Sequence, residues 1–238
     1  AFVIEAVVDQ VNGRVPVIGG ASSNSTAKAV ALAKQVKQSG ADAILTVAPF
    51  YNKPTQDGIF QHFSAIAEAV DIPIVVYNVP GRTSSNIEAQ TALRLAEEIP
   101  HIVGVKEASA NFGQIMEILH HRPAGFAVWS GDDNLTLSLV ALGADGVVSV
   151  VSNEVPRMFS DMVRAALKGK WEKARELHYK LLHLMNINFI ESNPIPVKAV
   201  LNMMGMIEDT LRLPLVPLSE VHRPALEKTL RELHLIKT

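Results

Sequence analysis

The 238-residue sequence contains no cysteine, which excludes disulfide bonds, zinc sites with thiolate ligands, iron–sulfur clusters and a cysteine nucleophile. No apolar run in it approaches the ~18 residues that a membrane span requires. Lysine and arginine total 22 against 24 acidic residues, so the formal net charge is −2. This balance argues against a nucleic-acid-binding protein, because such proteins usually carry a basic excess. Since nothing marks secretion, we expect a cytoplasmic protein with neither a nucleic-acid nor a membrane partner.

Six short apolar runs alternate with amphipathic segments along the chain. Runs that are apolar throughout are typical of parallel strands covered on both faces. We predict strands at residues 15–20, 43–49, 73–80, 102–108, 126–132 and 146–153. We predict helices at 1–11, 26–39, 58–70, after Asn86, after Asn111, and at 134–142, 156–168, 170–190, 195–205 and 219–234. The alternation indicates successive βα units around a parallel sheet, which is the α/β class.

Two arrangements of such a sheet fit this pattern, an open doubly wound sheet and a closed (β/α)₈ TIM barrel. No GxGxxG motif follows the first strand, which weakens a dinucleotide-binding interpretation. The opening helix has no strand before it, and six units are two short of a barrel. We therefore expect a TIM barrel whose first two strands are absent from this chain. Residues 1–155 would form the partial barrel, and residues 156–238 its last helix and a C-terminal helical region. A genuine six-stranded open sheet is the alternative.

The carboxyl ends of the strands are where a barrel carries its active site. Lys106 ends an otherwise apolar strand, and lysine is rarely buried without a reason. Burial lowers the pKa of a lysine amine, and the free amine can then attack a carbonyl to form a Schiff base. The alternatives are a lysine that extends its amine to solvent and one that pairs with Glu107.

Three further side chains follow strand ends. Tyr77 closes the neighbouring strand, where a phenol could relay protons to an imine, although position alone favours a packed strand tyrosine with a satisfied hydroxyl. Tyr51 has the same two interpretations. Arg82 follows the Tyr77 strand, and its guanidinium suits a substrate carboxylate, although a solvated loop arginine is the simpler alternative.

Other motifs point to chemistry less clearly. The loop at 19–24, GGASSN, could bind an anion or form a tight turn. Asp132 and Asp133 could hold a metal, but capping of the next helix is favoured. The eight histidines show no metal-ligand spacing, so we predict neither a metal nor a cofactor.

Taken together, the strand ends carry a family resemblance. The motifs are PFYNKP, YNVPGRT, VGVKEA, SGDD, GADGVVSVVSN, NPIPVK and DTLRLPLVPL, and they extend over essentially the whole chain. They resemble the dihydrodipicolinate synthase family of pyruvate-dependent class I aldolases. The resemblance implies a (β/α)₈ barrel with a C-terminal helical region, commonly assembled as a homotetramer, a dimer of dimers.

The resemblance also implies a role for each singled-out side chain. Lys106 matches the lysine that forms the Schiff base with pyruvate, and Tyr77 the tyrosine that relays protons. Tyr51 matches a tyrosine that reaches across the tight dimer interface into the neighbouring site. Arg82 matches the arginine that holds the carboxylate of the second substrate.

The reaction implied by the resemblance joins pyruvate to L-aspartate 4-semialdehyde without a cofactor. It gives 4-hydroxy-tetrahydrodipicolinate, a precursor in lysine and diaminopimelate biosynthesis. The backbone around Gly131 and Val148 would line the pyruvate pocket.

A departure from the family pattern and three alternatives bear on this prediction. The family's Gly-Thr-Thr-Gly-Glu motif does not occur in the sequence, which predicts weak pyruvate binding and low turnover for the chain as given. N-acetylneuraminate lyase or a sugar-acid aldolase would use the same lysine, but Arg82 favours the synthase. A catalytically silent scaffold is a further alternative, against which the retention of all four strand-end side chains argues. The third is an open-sheet phosphate binder at the GGASSN loop.

Overall fold

The structure is a computed structural model that describes residues 1–237. It confirms the α/β class, and a strand lies within each of the six predicted runs. The strands are β1 (Ile18–Gly20), β2 (Ala43–Val47), β3 (Ile74–Asn78), β4 (Ile102–Glu107), β5 (Ala127–Ser130) and β6 (Gly146–Val147).

The predicted helices are all present, with ends within a few residues of the predicted ones. They are α1 (Phe2–Val11), α2 (Thr26–Gln38), α3 (Gln56–Ala69), α5 (Ala89–Glu98), α6 (Phe112–His121), α7 (Thr136–Ala141), α8 (Pro156–Leu167), α9 (Trp171–Ile187), α10 (Ile195–Met203) and α11 (Arg223–Glu232). The short helix α4 (Pro80–Thr83) was not predicted, and two 3₁₀ turns span Asp133–Leu135 and Val151–Asn153. No helix among the described residues is long and apolar enough to cross a membrane.

The chain divides into two compact units. The first comprises residues 1–131 and 142–145, and the second comprises residues 132–141 and those from 146 onward. The first unit therefore holds β1 to β5, and the second holds β6 and the helices from α7 on, so each is described by itself. The predicted boundary between residues 155 and 156 stays a prediction.

In the first unit, β1 to β5 are parallel and lie side by side in chain order. This order follows from the sequence, because a helix between consecutive strands returns the chain to start the next strand in the same direction. The helices α2, α3, α5 and α6 pack successively against one another, and α2 and α5 contact the strands. Fully buried aliphatic and aromatic side chains fill the layer between, among them Ala33, Ile44, Phe63, Val76, Leu95, Val105 and Ile118.

Local side-chain bonds fix where two of these helices begin. The Thr55 hydroxyl accepts a hydrogen bond from the backbone N–H of Gly58 at the start of α3. The Asn111 side chain accepts one from the backbone N–H of Gln114 at the start of α6. Each bond satisfies a donor that the first turn of a helix would otherwise leave without a partner. Both helices are thereby held at the carboxyl-terminal side of the strands that precede them.

The second unit is built on helices α8 to α11 around an apolar cluster. The cluster includes Phe159, Met162, Leu181, Leu184, Leu226 and Leu230, each almost completely buried. Two carboxyl groups are buried within the same unit, that of Asp133 at 3% exposure and that of Glu154 at 4%. Asn188 donates a hydrogen bond from Nδ2 to Oε2 of Glu154 over 3.0 Å. Burial raises the pKa of Glu154 to about 8, an effect that the Asn188 bond only partly opposes and to which the charge of Asp133 adds.

The titration of Glu154 predicts a pH-dependent stability. Because the pKa of Glu154 rises from 4.5 to about 8 on folding, the folded protein binds an extra proton between those values, and stability falls as pH rises through that range. We expect the free energy of unfolding to drop by on the order of a few kcal/mol between pH 5 and pH 8. Urea denaturation at both pH values should show a clearly smaller drop for Glu154→Gln than for the unchanged protein, with the raised pKa of Glu107 contributing to the drop that remains.

The matched control is Glu97→Gln, which replaces an exposed glutamate on α5. It should keep the pH dependence of the unchanged protein. Equal pH dependence in the Glu154→Gln variant and the unchanged protein would contradict the raised pKa.

Candidate active site

The carboxyl ends of β3 and β4 bring an aromatic ring and an amine together. Tyr77 and Lys106 are register partners on these neighbouring parallel strands. The Lys106 Nζ lies 4.0 Å from the centroid of the Tyr77 ring, and both side chains are half-buried. An amine over an aromatic face is stabilised there as a cation by the electron density of the ring. The structure thus places side by side the two side chains that the sequence analysis singled out at adjacent strand ends.

The same face of the sheet carries a tryptophan that the sequence analysis missed. Trp129 on β5 is the register partner of Lys106. A Cβ on Gly104 would lie 2.6 Å from the Trp129 ring and 2.5 Å from the carbonyl oxygen of Ala127. The indole therefore covers the strand beside the amine only because residue 104 has no side chain. A glycine inside an apolar strand was the available signal, since it often marks such a close approach.

A largely apolar depression of about 390 Å³ opens at the ends of the first three strands. Arg82 and Tyr77 both contribute to its wall. The full set of lining residues is Gly20, Ser22, Leu45, Val47, Phe50, Tyr77, Val79, Arg82 and Thr83. An arginine and a tyrosine therefore border one concave, largely apolar site.

The short helix α4 positions Arg82. The Thr83 hydroxyl donates to the carbonyl oxygens of Val79 and Ser85, at 3.1 and 2.8 Å, and accepts from the backbone N–H of Ser85. Thr83 is itself buried, so these bonds fix the turn that follows β3. Arg82 is exposed on this turn, beside the depression.

Tyr51 differs from the other predicted site residues. Its side chain is 86% exposed, and its backbone adopts a left-handed conformation with φ 75°. The backbone N–H of Tyr51 donates to the carbonyl oxygen of Thr83 over 3.2 Å, which ties this loop to the α4 turn. Tyr51 does not line the depression, although the neighbouring Phe50 does.

The remaining predicted pocket residues lie in different units. Gly131 donates from its backbone N–H to the carbonyl oxygen of Glu107 over 2.7 Å. A Cβ on Gly131 would lie 2.5 Å from the Cβ of Ala108 and 3.2 Å from the Cε of Lys106. Gly131 therefore borders the aliphatic stem of the candidate nucleophile. Val148 directly follows β6 in the second unit and is half-buried.

Glu107, one residue beyond Lys106, is almost completely buried. Its carboxyl group accepts hydrogen bonds from Asn78, Gln114 and the backbone N–H of Ser109. Burial raises the pKa of Glu107, and these three donors act in the opposite direction. Successive residues of a strand point to opposite faces, so Glu107 lies on the helix-covered face while Lys106 lies on the other.

Two motifs have structural roles that differ from a ligand site. Asp133 accepts hydrogen bonds from the backbone N–H groups of Val150 and Val151, so it holds the segment after β6. Asp132 precedes the 3₁₀ turn at Asp133–Leu135 but forms no side-chain cap to it, unlike the predicted helix cap. In the GGASSN loop, the Ser22 hydroxyl accepts from the backbone N–H of Val47. Within the described part of the chain, no cluster of three histidine or acidic side chains could hold a metal ion.

Comparison with known proteins gives matches along nearly the whole chain. The model of the "Dihydrodipicolinate synthetase family" matches residues 1–233. A 4-hydroxy-tetrahydrodipicolinate synthase from Koribacter versatilis is 56% identical over 99% of this chain and 78% of its own length. One from Methanocaldococcus jannaschii is 54% identical over 98% of this chain and 80% of its own length.

A solved structure is similarly close. The chloride-inhibited dihydrodipicolinate synthase from Acinetobacter baumannii, complexed with pyruvate, has a TM-score of 0.96 at 45% identity. The match covers 98% of this chain and 80% of that one. Because the matches cover this chain, they do not support the predicted absence of two strands, which stays a prediction.

The tight surroundings of Gly131 predict that a side chain is not tolerated there. Because a Cβ would collide with Ala108 and press on the Lys106 stem, Gly131→Ala should destabilise the protein by about 1–3 kcal/mol in urea denaturation. The control is Gly81→Ala on α4, where no atom lies within 4 Å of an added Cβ, and it should change stability by less than about 0.5 kcal/mol. Equal stability of the two variants would contradict the close packing at Gly131.

Proposed function

Because the chain belongs to the dihydrodipicolinate synthetase family, we propose that it is a 4-hydroxy-tetrahydrodipicolinate synthase, a lyase that condenses pyruvate with L-aspartate 4-semialdehyde. Curated relatives with about half of their residues identical carry that name, and one solved relative is complexed with pyruvate. The observation that carries the proposal is the half-buried Lys106 amine over the Tyr77 ring at adjoining strand ends. The reaction belongs to lysine and diaminopimelate biosynthesis.

Lys106 is the proposed nucleophile. Its unprotonated amine attacks C2 of pyruvate, and loss of water from the carbinolamine leaves a protonated imine on Nζ. The imine withdraws electrons from C3, so a proton leaves that carbon and an enamine forms. The enamine C3 then bonds to the aldehyde carbon of the semialdehyde. The amino group of the semialdehyde adds to the imine carbon and expels Lys106, which closes the ring, and no cofactor is required.

Tyr77 is the proposed proton relay. Its ring lies under the amine, so its face stabilises the cationic imine that follows nucleophilic attack. Its phenol can exchange a proton with the carbinolamine oxygen as water leaves and with the aldehyde oxygen as the new bond forms. Gly131 and Val148 are proposed to line the pyruvate pocket with backbone, as the family resemblance implies.

Arg82 is proposed to hold the carboxylate of the semialdehyde. It shares the apolar depression with Tyr77, and a guanidinium can bind a carboxylate through two parallel hydrogen bonds. This residue is the feature that favours the synthase over a neuraminate or sugar-acid aldolase. Such an aldolase would share the imine chemistry of Lys106 and differ in the second substrate.

Assembly and location complete the proposal. The exposed phenol of Tyr51, on a strained left-handed backbone, fits a side chain that enters the site of a second subunit. Following the family resemblance, we propose a homotetramer built as a dimer of dimers, in the cytoplasm, with each subunit adopting the (β/α)₈ barrel of the family.

Removing the amine tests the proposed chemistry. Lys106→Ala should lower the rate of condensation by at least about a thousandfold, because the covalent route is lost. Lys106→Arg should be equally inactive, since its guanidinium keeps the charge but cannot form the imine. Product formation is followed by coupling to the reductase that consumes the product. The control Lys180→Ala, at an exposed position of α9, should retain full activity, and substantial turnover by either Lys106 variant would refute the role of this amine.

Removing the guanidinium tests the second substrate. Arg82→Ala should raise KM for L-aspartate 4-semialdehyde by about 10- to 100-fold, which is the range for loss of a charged hydrogen-bonded pair. KM for pyruvate should change little. Arg82→Lys should give a KM for the semialdehyde between that of the unchanged protein and that of Arg82→Ala. Initial rates with each substrate varied in turn make the measurement. An unchanged KM for the semialdehyde would instead favour an aldolase with another acceptor.

A further inference from the structure

We propose that Glu107 is a positioning residue for the candidate active site, held by a directional chain of amide side chains on the face of the sheet opposite Lys106. The inference rests on the proposed function, since it concerns the geometry in which Lys106 reacts. Glu107 is 1% exposed and has no part in the bond-forming steps proposed above. What it does is set by the hydrogen bonds around its carboxyl group.

The donor-to-acceptor direction of these amide hydrogen bonds is fixed by one backbone N–H group. The N–H of Ile87 donates to Oδ1 of Asn78 over 2.9 Å, so the amide nitrogen of Asn78 must point the other way. That nitrogen donates to both carboxyl oxygens of Glu107, at 3.1 and 3.3 Å. It also donates to Oδ1 of Asn86 over 2.9 Å and, at the longer distance of 3.4 Å, to the carbonyl oxygen of Ile87. Asn78 is completely buried, so no water replaces any of these partners.

The orientation then passes through two more amides. Since Asn86 accepts through its oxygen, its nitrogen donates to Oε1 of Gln114 over 2.9 Å. The Gln114 nitrogen is thereby turned toward Oε2 of Glu107, at 3.2 Å, and it also donates to Oδ1 of Asn86 over 3.3 Å. The backbone N–H of Ser109 donates to Oε1 of Glu107 over 2.7 Å. Every group that contacts the carboxyl is therefore a donor, which is the pattern that an ionised carboxylate satisfies.

This carboxylate joins the strand ends that carry the reacting groups. Asn78 and Glu107 are register partners, and they directly follow the Tyr77–Lys106 pair on β3 and β4. Backbone hydrogen bonds extend the strand pairing at this point. The N–H of Ala108 donates to the carbonyl oxygen of Asn78, and the N–H of Gly131 donates to the carbonyl oxygen of Glu107. The side-chain bonds therefore hold β3 against β4 one residue beyond the point where the amine faces the ring. A shift of that junction moves the amine relative to the phenol and the pocket.

The amide chain also reaches the segment after α4. Asn86 and Ile87 lie in the loop between α4 and α5, and Gln114 lies in the first turn of α6. The buried carboxylate of Glu107 is thus linked to the end of β3, to the loop after α4 and to the start of α6. Position matters strongly here, since a displacement of about 1 Å can cost about a hundredfold in rate.

Glu107→Gln should break the arrangement without changing side-chain size. The new amide nitrogen would face the nitrogen of Asn78, which cannot turn because Ile87 holds it. We expect kcat to fall about 10- to 100-fold, and the rate at which borohydride traps pyruvate on Lys106 to fall in parallel. The control Glu117→Gln, exposed on α6, should change neither quantity.

The double variant Asn78→Asp with Glu107→Gln reverses the hydrogen bonds that run between side chains and keeps the two bonds donated by the backbone N–H groups of Ile87 and Ser109. The carboxylate at position 78 would accept from Ile87, from the new amide at position 107 and from a turned Asn86. A turned Gln114 would then donate to Asn86 and accept from position 107, while Ser109 keeps an oxygen acceptor. This variant should recover kcat and trapping rate to within about fivefold of the original protein, because only the 3.4 Å bond from position 78 to the carbonyl oxygen of Ile87 would lack its donor.

The outcomes separate this inference from the proposed function. If the unchanged protein traps no pyruvate on Lys106, the proposed function fails. If it does, and Glu107→Gln lowers the melting temperature while kcat per folded molecule is unchanged, Glu107 is merely structural and the inference is wrong. Recovery of melting temperature without kcat in the double variant also overturns it, because charge at 107 would then be what matters. Should Glu107→Gln not fold, the milder Gln114→Ala must still lower kcat at least threefold.

Discussion

The parallel register of β3 and β4 is the constraint on which the site depends. It sets Tyr77 beside Lys106 and, one residue later, Asn78 beside Glu107. Because side chains alternate across a strand, the first pair lies on one face and the second on the other. A slip of one residue would exchange the two faces and remove the amine from the pocket side.

The two faces place opposite demands on the protein. On one, Gly104 and Gly131 leave room for an indole and for the lysine stem, so that a long side chain fits among close-packed neighbours. On the other, the buried carboxyl of Glu107 requires donors, because an unpaired buried charge is strongly unfavourable. Amides from a loop and a helix supply them. The chemistry of the first face is thus linked to hydrogen bonding on the second, with the strand backbone between them.

The sequence predicts much of this arrangement and misses a definite part. Apolar runs and helix boundaries are local signals, so the strands, the long helices and the strand-end positions of Lys106 and Tyr77 could be predicted. The amide chain could not, because its members are far apart in sequence and individually resemble loop or helix-start residues. Asn86 and Asp133 illustrate this, since each looked like a helix signal and instead bonds to a distant segment. The one-turn helix α4 was missed because four residues carry no periodicity.

The central claim, that Lys106 is the group that bonds to pyruvate, has one direct measurement. The protein is incubated with pyruvate, reduced with borohydride, digested, and mapped by mass spectrometry. The account predicts a reduced pyruvyl adduct on the peptide that carries Lys106 and on no other lysine. Condensation activity without an adduct at Lys106, or with an adduct elsewhere, would contradict it.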